Sequence, residues 1–329
     1  MRAEILEQPE AIKRTIEEAA GEVEEAAQLI GKKFVYTTGS GTSYHASLVT
    51  QRSLTRIAGS SSVAIPASEL EYWIPNSVRG SILIAISQSG ESSDIIKAVT
   101  AFRSRGGGVV AITNTPGSSL TELADATILT RAGEEKAVAA TKTYTSQLAV
   151  AFLLSIQISK LKGRDLTILE EELFALPDKV ENEVKMADDN AREISPVLVR
   201  RPVGFILGTG SNYPTALEGA LKLRETSNLF IQAFAGREFL HGPVQLVSKD
   251  TSVIVLEPEK MPAVMQRIRN YQAPVITLGK EADLPVGYEG PEEFYPIPYI
   301  IPLQFLAWHV SLAKGLNPDK PEKLGKVVK

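Results

Sequence analysis

Cysteine is absent from the 329 residues, which removes disulfides, thiolate metal sites and every cysteine nucleophile. Histidine is almost as scarce. His45, His241 and His309 stand far apart, none paired at ligand spacing, so the chain is expected to hold no metal and to need no cofactor. No apolar run approaches the roughly 20 residues of a membrane span, and the longest, such as residues 148–156, suit the core of a helix. Neither sign of charge dominates: 35 Lys plus Arg against 39 Asp plus Glu leave a net charge of -4, with no basic block to meet a nucleic acid. The first thirty residues are acidic and amphipathic and lack the apolar core and cleavage site of a signal peptide. A cytoplasmic protein with no membrane or nucleic-acid partner is expected.

What is present reads as an ordinary globular chain, 43% hydrophobic and 22% charged, long enough for two domains of roughly 150 residues each. Phe34-Val-Tyr-Thr-Thr38 is a strand, Gly39-Ser-Gly-Thr-Ser43 a tight loop, and a helix begins near Tyr44. Ser81-Ile-Leu-Ile-Ala-Ile86 is a continuous apolar run suited to a strand covered on both faces, followed by Ser87-Gln-Ser-Gly-Glu-Ser92 and another helix. Residues 109–113 and 126–130 supply further strands. This alternation predicts an α/β fold with a doubly wound parallel sheet. The pattern recurs about 170 residues later: Val203-Gly-Phe-Ile-Leu-Gly208-Thr-Gly-Ser-Asn-Tyr213 repeats the first strand and loop, and Thr251-Ser-Val-Ile-Val-Leu256 repeats the second strand. Two tandem copies of one flavodoxin-like domain are expected, residues 1–184 and 185–329, with residues 161–200 a solvated helical connector between them.

The Gly39 loop fails the dinucleotide pattern at its sixth position, Tyr44, and no Walker lysine follows. What remains is a loop of small hydroxyl residues at a helix N-terminus, where backbone N–H groups and the helix dipole favour an anion. Ser87-Gln-Ser-Gly-Glu-Ser92 offers the same chemistry more densely. Both loops would meet at the carboxyl ends of adjacent parallel strands, the usual ligand crevice of an open α/β sheet. In the second copy Glu257-Pro-Glu-Lys260 takes that place, a poor anion cradle, so only the first copy is expected to bind phosphate. The second half carries Glu218, Lys222 and Glu225 at helical spacing, which composition alone reads as a salt-bridged surface helix. His241 stands in a Gly-Pro turn, a position for an acid or base, whereas His309 reads as a core or interface residue and His45 as either. Covalent chemistry, if used, falls to a Schiff-base lysine, with Lys142, Lys222 and Lys326 as candidates.

These residues, taken in order, resemble the sugar isomerase (SIS) domain family. The likeness is greatest to the isomerase half of the glutamine–fructose-6-phosphate aminotransferases, which make glucosamine 6-phosphate, and it extends to the stand-alone glucosamine-6-phosphate deaminases. The matching segments run through nearly the whole chain: Glu7-Gln-Pro-Glu-Ala-Ile12, Gly41-Thr-Ser-Tyr44, Ser87-Gln-Ser-Gly-Glu91, Pro116-Gly-Ser-Ser-Leu120, Ala140-Thr-Lys-Thr143, Tyr213-Pro, Glu218-Gly-Ala-Leu-Lys-Leu223, Glu225, His241-Gly-Pro243 and Leu324-Gly-Lys326.

The resemblance implies that Thr42, Ser43, Ser87, Gln88, Ser89 and Ser92 hold a substrate phosphate, Ser92 standing where the family often has threonine. It implies that Glu225 moves a proton between C1 and C2, that His241 opens the sugar ring from the other subunit of a homodimer, that Lys326 forms a Schiff base with the keto-sugar and that Lys222 supports them by its charge. The ending Val327-Val-Lys329 departs from the family's. The aminotransferases draw ammonia from glutamine through a cysteine nucleophile in a separate domain, and 329 residues without cysteine leave no place for it. The expected activity is therefore a deaminase that converts glucosamine 6-phosphate to fructose 6-phosphate and ammonia. The alternative is the isomerase subunit of an aminotransferase with a separate glutaminase partner or free ammonium. A sugar-phosphate sensor and a deglycase are further readings on the same fold.

Overall fold

The computed structural model describes residues 1–327. Its strands form two five-stranded, wholly parallel sheets. The first holds β1 (Phe34–Thr38), β2 (Ser62–Ala64), β3 (Ser81–Ser87), β4 (Gly108–Thr113) and β5 (Ala126–Leu129) in the order β2-β1-β3-β4-β5. The second holds β6 (Val203–Gly208), β7 (Phe230–Ala235), β8 (Ser252–Leu256), β9 (Val275–Gly279) and β10 (Leu284–Pro285) in the order β10-β9-β8-β6-β7. Counted from its own first strand, each sheet has the same order, so the sequence repeat is a repeat of topology. The fold is α/β, two tandem doubly wound parallel sheets, as the alternation of strands and helices predicts.

Two compact units result: residues 7–135, 142–177 and 326–327, and residues 1–6, 136–141 and 178–325. In the first, β3 is buried along almost its whole length because apolar side chains alternate onto both faces. One face packs Leu83 and Ala85 against Ile95, Val99 and Phe102 of the helix Ser93–Ser104. Helices Gln8–Glu18, Ala20–Ile30 and Thr42–Arg56 gather around Lys142–Leu161, which is apolar nearly all round. In the second unit, Phe205, Leu207, Val253 and Val255 form a core with Phe239, Met265 and Ile268. There the helices Asn212–Ser227 and Pro296–Ala313 pack on each other. No helix among the described residues is long and apolar enough to cross a membrane.

Residues 161–200 depart from the solvated connector expected of them. A single helix, Thr167–Val199, buries Leu173, Leu176, Val180, Val184, Ala187, Ala191 and Leu198. With the buried Ser195 these recur every three or four residues, so one stripe is covered while most of the acidic and basic residues keep the other face in water. The stripe also takes in a carboxyl group. Glu183 is 2% exposed and accepts the Gly287 N–H at 3.2 Å. Burial pushes it from 4.5 up to about 7, against the opposing pull of the Gly287 and Tyr288 N–H groups.

A carboxyl whose folded value lies above its unfolded one binds its proton more tightly in the native state. The stability it contributes is full below about pH 4.5 and is lost as pH rises through about 7. Glu183→Gln removes that titration. Relative to the wild type, its thermal midpoint is expected to rise by a few degrees between pH 5 and pH 8.5, corresponding to roughly 2–3 kcal/mol. A difference independent of pH would show that Glu183 ionises without cost.

Candidate active site

The first sheet reverses its winding between β1 and β3, which pair in parallel from Phe34↔Ser81 to Thr38↔Ala85. Both candidate loops leave from the carboxyl ends of these neighbours and each leads directly into a helix. At Gly39 the turn is so tight that a Cβ would lie 2.5 Å from the Ser43 carbonyl group, so only glycine lets the chain pass. Thr42 opens the helix Thr42–Arg56, and Ser43 Oγ next to it accepts from Gln147 Nε2 at 3.3 Å. In the second loop Ser87 Oγ accepts the Gly90 N–H at 3.1 Å and Ser89 Oγ the Glu91 N–H at 3.2 Å. A hydroxyl that accepts from the backbone keeps its proton to donate. The Gln88 carbonyl accepts from the Asn114 N–H, Thr113 Oγ1 and Thr115 Oγ1, which fixes the loop to the end of β4. Ser92 is the N-cap of Ser93–Ser104 but makes no side-chain cap. The structure thus gathers five predicted phosphate residues, Thr42, Ser43, Ser87, Gln88 and Ser89, at two adjacent strand ends with two helix N-termini, and Ser92 stands at the second of these.

Ser118 was not among the predicted site residues. Its Oγ is buried with no hydrogen-bond partner among the described residues, and a Cβ on Gly90, whose φ is +68°, would lie 2.1 Å from it. Only a glycine can sit there. The sequence signal for this contact is the Pro116-Gly-Ser-Ser-Leu120 string, which the resemblance singled out without assigning it a part.

The corresponding crevice of the second sheet holds an anion of its own. Gly208 repeats Gly39, a Cβ there falling 2.1 Å from the Asn212 carbonyl oxygen. Asn212 stands where the first copy has Ser43, and Glu257 where it has Ser87. Asn212 Nδ2 donates to Glu257 Oε2 at 2.9 Å, and Lys260 Nζ lies 2.6 Å from Glu257 Oε1. Glu257 is 1% exposed.

The surface-helix reading of Glu218, Lys222 and Glu225 is overturned. Lys222 and Glu218 are fully buried and Glu225 is 20% exposed. Lys222 Nζ lies 3.1 Å from Glu218 Oε1 and 2.7 Å from Glu225 Oε2. Burial alone would depress the ammonium, but the two carboxylates reverse this and hold it above the ordinary lysine range. The reason for the burial is Gly219: a Cβ there would meet Leu303 at 2.5 Å, so the helix carrying the triad lies close against Pro296–Ala313. Glu225 opens into a cavity of about 550 Å³ shared with Leu221, Arg224 and tail residues including Lys320 and Leu324.

The three lysine candidates now separate. Lys142 is buried and paired with Glu7, and Lys222 is locked between carboxylates. Lys326, 28% exposed, meets Glu135 Oε2 at 3.0 Å, and Glu135 lines a cavity of about 460 Å³ with Gln88. The last two tail residues, 328 and 329, lie outside the described residues. His309 is bonded to Asp188 at 2.6 Å, and His45 is buried. His241 is exposed. Its turn is pinned by Phe239, whose ring packs at a tilt against Phe205 and Phe234, on one face of the second sheet. The Glu225 helix lies on the opposite face, where Gly208 meets Ala216.

A family model described as the SIS domain matches residues 28–156 and 203–286. Glutamine–fructose-6-phosphate aminotransferase [isomerizing] of Pyrococcus horikoshii is 40% identical over 342 residues, aligned with 100% of this chain and 57% of its own length. That of Escherichia coli K12 is 35% identical over 355 residues, with 100% and 58% covered. The chain therefore spans somewhat more than half the length of these curated relatives. Among solved structures, the C-terminal domain of glucosamine-fructose-6-phosphate aminotransferase from Francisella tularensis superposes with a TM-score of 0.88 at 29% identity, covering 97% of both chains. Glucosamine-6-phosphate deaminase from Thermotoga maritima superposes at 0.76 with 24% identity, covering 98% and 99%, a likeness of fold. The chain belongs to the SIS domain family, with one matched stretch in each half.

Lys222→Met leaves a buried carboxylate, Glu218, without its cation and is expected to lower stability by about 3–5 kcal/mol, read from chemical denaturation. The double variant Lys222→Met/Glu218→Leu removes the orphaned charge and should recover most of that loss. Failure to recover it would trace the loss to packing rather than to charge.

Proposed function

We propose that this chain is a sugar-phosphate isomerase of the aminotransferase type, interconverting fructose 6-phosphate, with ammonia, and glucosamine 6-phosphate. The ammonia comes from a glutaminase on another segment or chain, or from free ammonium. This is the alternative of the sequence reading, and it displaces the deaminase for one reason: the aminotransferases match along the whole chain at 35–40% identity, whereas the deaminase likeness is one of fold. The chemistry of the two is the same reaction run in opposite directions, so the same residues serve both.

The single observation that carries the reading is the Glu225 carboxylate, held by Lys222 and open to a cavity on its other side. Moving hydrogen between C1 and C2 of a sugar needs a carboxylate within reach of both carbons that can take a proton from one and return it to the other. Phosphate bound by Thr42, Ser43, Ser87, Gln88, Ser89 and Ser92 supplies remote binding energy that fixes those carbons in place. Lys326, the most exposed of the three lysine candidates, forms the Schiff base with the open-chain ketose. His241 exchanges the proton of ring opening. It acts on a second copy, the arrangement that the family resemblance implies. A two-fold homodimer then builds two equivalent sites.

Glu225→Gln is expected to abolish formation of glucosamine 6-phosphate from fructose 6-phosphate and ammonium while leaving fructose 6-phosphate binding within about twofold. Retained turnover would remove its assigned role. Co-refolding equal amounts of Glu225→Gln and His241→Asn chains, each inactive alone, should restore about a quarter of wild-type activity, since half the dimers then contain one intact site. A mixture as inactive as its parents would place His241 outside the reaction.

A further inference from the structure

We infer that Glu135 is the residue that holds the tail lysine, Lys326, ready for the keto-sugar; the inference rests on the reading of Lys326 as the Schiff-base lysine. Glu135 is fully buried, an uncommon place for a carboxylate unless it has assured partners. It has them on one helix. Its Oε2 accepts the Thr143 hydroxyl at 2.6 Å and its Oε1 the Thr143 N–H at 3.2 Å. Thr143 lies in the first turn of Lys142–Leu161, where N–H groups lack helical acceptors and the dipole is positive. The carboxylate is thereby fixed to one of the most buried helices of the unit, and its Oε2 also accepts from Lys326 Nζ at 3.0 Å. Lys142, the neighbouring cation, is engaged by Glu7 and does not compete for it.

A buried acceptor of this kind gives the Lys326 side chain a fixed partner. It gives four rotatable methylenes one preferred end point, beside the cavity that Gln88 lines, so less motion is frozen when the sugar arrives. It also receives the proton that an ammonium must shed before it can react. The proton passes from Lys326 Nζ to the Glu135 carboxylate, the neutral amine adds to the ketone carbon with formation of the C–N bond, and the carbonyl oxygen leaves as water to give the imine. The Ala140-Thr-Lys-Thr143 string gains a purpose from this: Thr143 fixes Glu135, and Glu135 fixes the lysine.

The test uses the full chain with fructose 6-phosphate and borohydride, measuring the rate of reductive labelling at Lys326 by peptide mass mapping over a range of sugar concentrations. Glu135→Gln, which keeps the shape and loses the charge, is expected to slow labelling at saturating sugar more than about tenfold. The sugar concentration that half-saturates labelling should stay within about twofold of wild type, so that the loss falls on the reaction and not on binding. Thr143→Val keeps the charge but loosens it, and should slow labelling about threefold. A folded Glu135→Gln protein that labels at the wild-type rate would overturn the inference and leave Lys326 in its role. If Glu135→Gln does not fold by circular dichroism, wild-type labelling in Thr143→Val overturns it instead. A wild-type protein that labels elsewhere or not at all overturns the Lys326 reading, and this inference with it.

Discussion

Each half of this protein depends on one steric constraint: a buried parallel strand must turn into a helix within a few residues, with no room for a side chain at the turn. Gly39 and Gly208 meet that constraint in the same way, a Cβ at either colliding with the backbone of the helix that follows. The turn brings a helix N-terminus, with its orphan N–H groups, up against the end of the sheet. Because β1 and β3 are neighbours with connections leaving to opposite sides, the two turns of one sheet open on a common crevice. In the first half that crevice is lined with the hydroxyl residues Thr42, Ser43, Ser87 and Ser89.

The second half shows what the same frame does with other residues. Its turn residues are Asn212 and Glu257, and they bond to each other. Its distinctive groups lie instead along the helix that leaves the turn, where Gly219 permits a close approach to Pro296–Ala313 and draws Lys222 out of water between two carboxylates. Burying ionised groups is costly unless they satisfy one another, and the spacing of three and four residues on one helix brings Lys222 to both carboxylates. The carboxylate at the exposed end keeps one side for the cavity.

Much of this was legible in the sequence, for identifiable reasons. Strands β1, β3, β4, β6 and β8 lie inside their sheets and announce themselves as continuous apolar runs, and the two glycine turns align once the repeat is seen. The edge strands β2, β7 and β10 were silent, since they are short or half exposed, as the alternating exposure of β7 shows, and so lack that signal. Lys222 could not be placed, because a spacing of three or four residues is the same on a surface helix and a buried one. The helix packed against its own, Pro296–Ala313, begins more than seventy residues away. Ser118 and Glu135 escaped for the same reason, their partners Gly90 and Lys326 being distant in sequence. The acidic helix Thr167–Val199 was read from its charges, while its seven buried apolar residues, spread over its length, carried the contrary message.

The Glu257 carboxylate has one further consequence, which concerns stoichiometry. Whatever anion the first crevice admits must come from solution and can leave again, whereas the second crevice holds an anion tethered to its own backbone, at an effective concentration no dissolved ligand matches. The pseudo-symmetry of the fold is therefore not a symmetry of occupancy. The second crevice is filled by a residue of its own, whose bonds to Asn212 and Lys260 brace the strand ends around it.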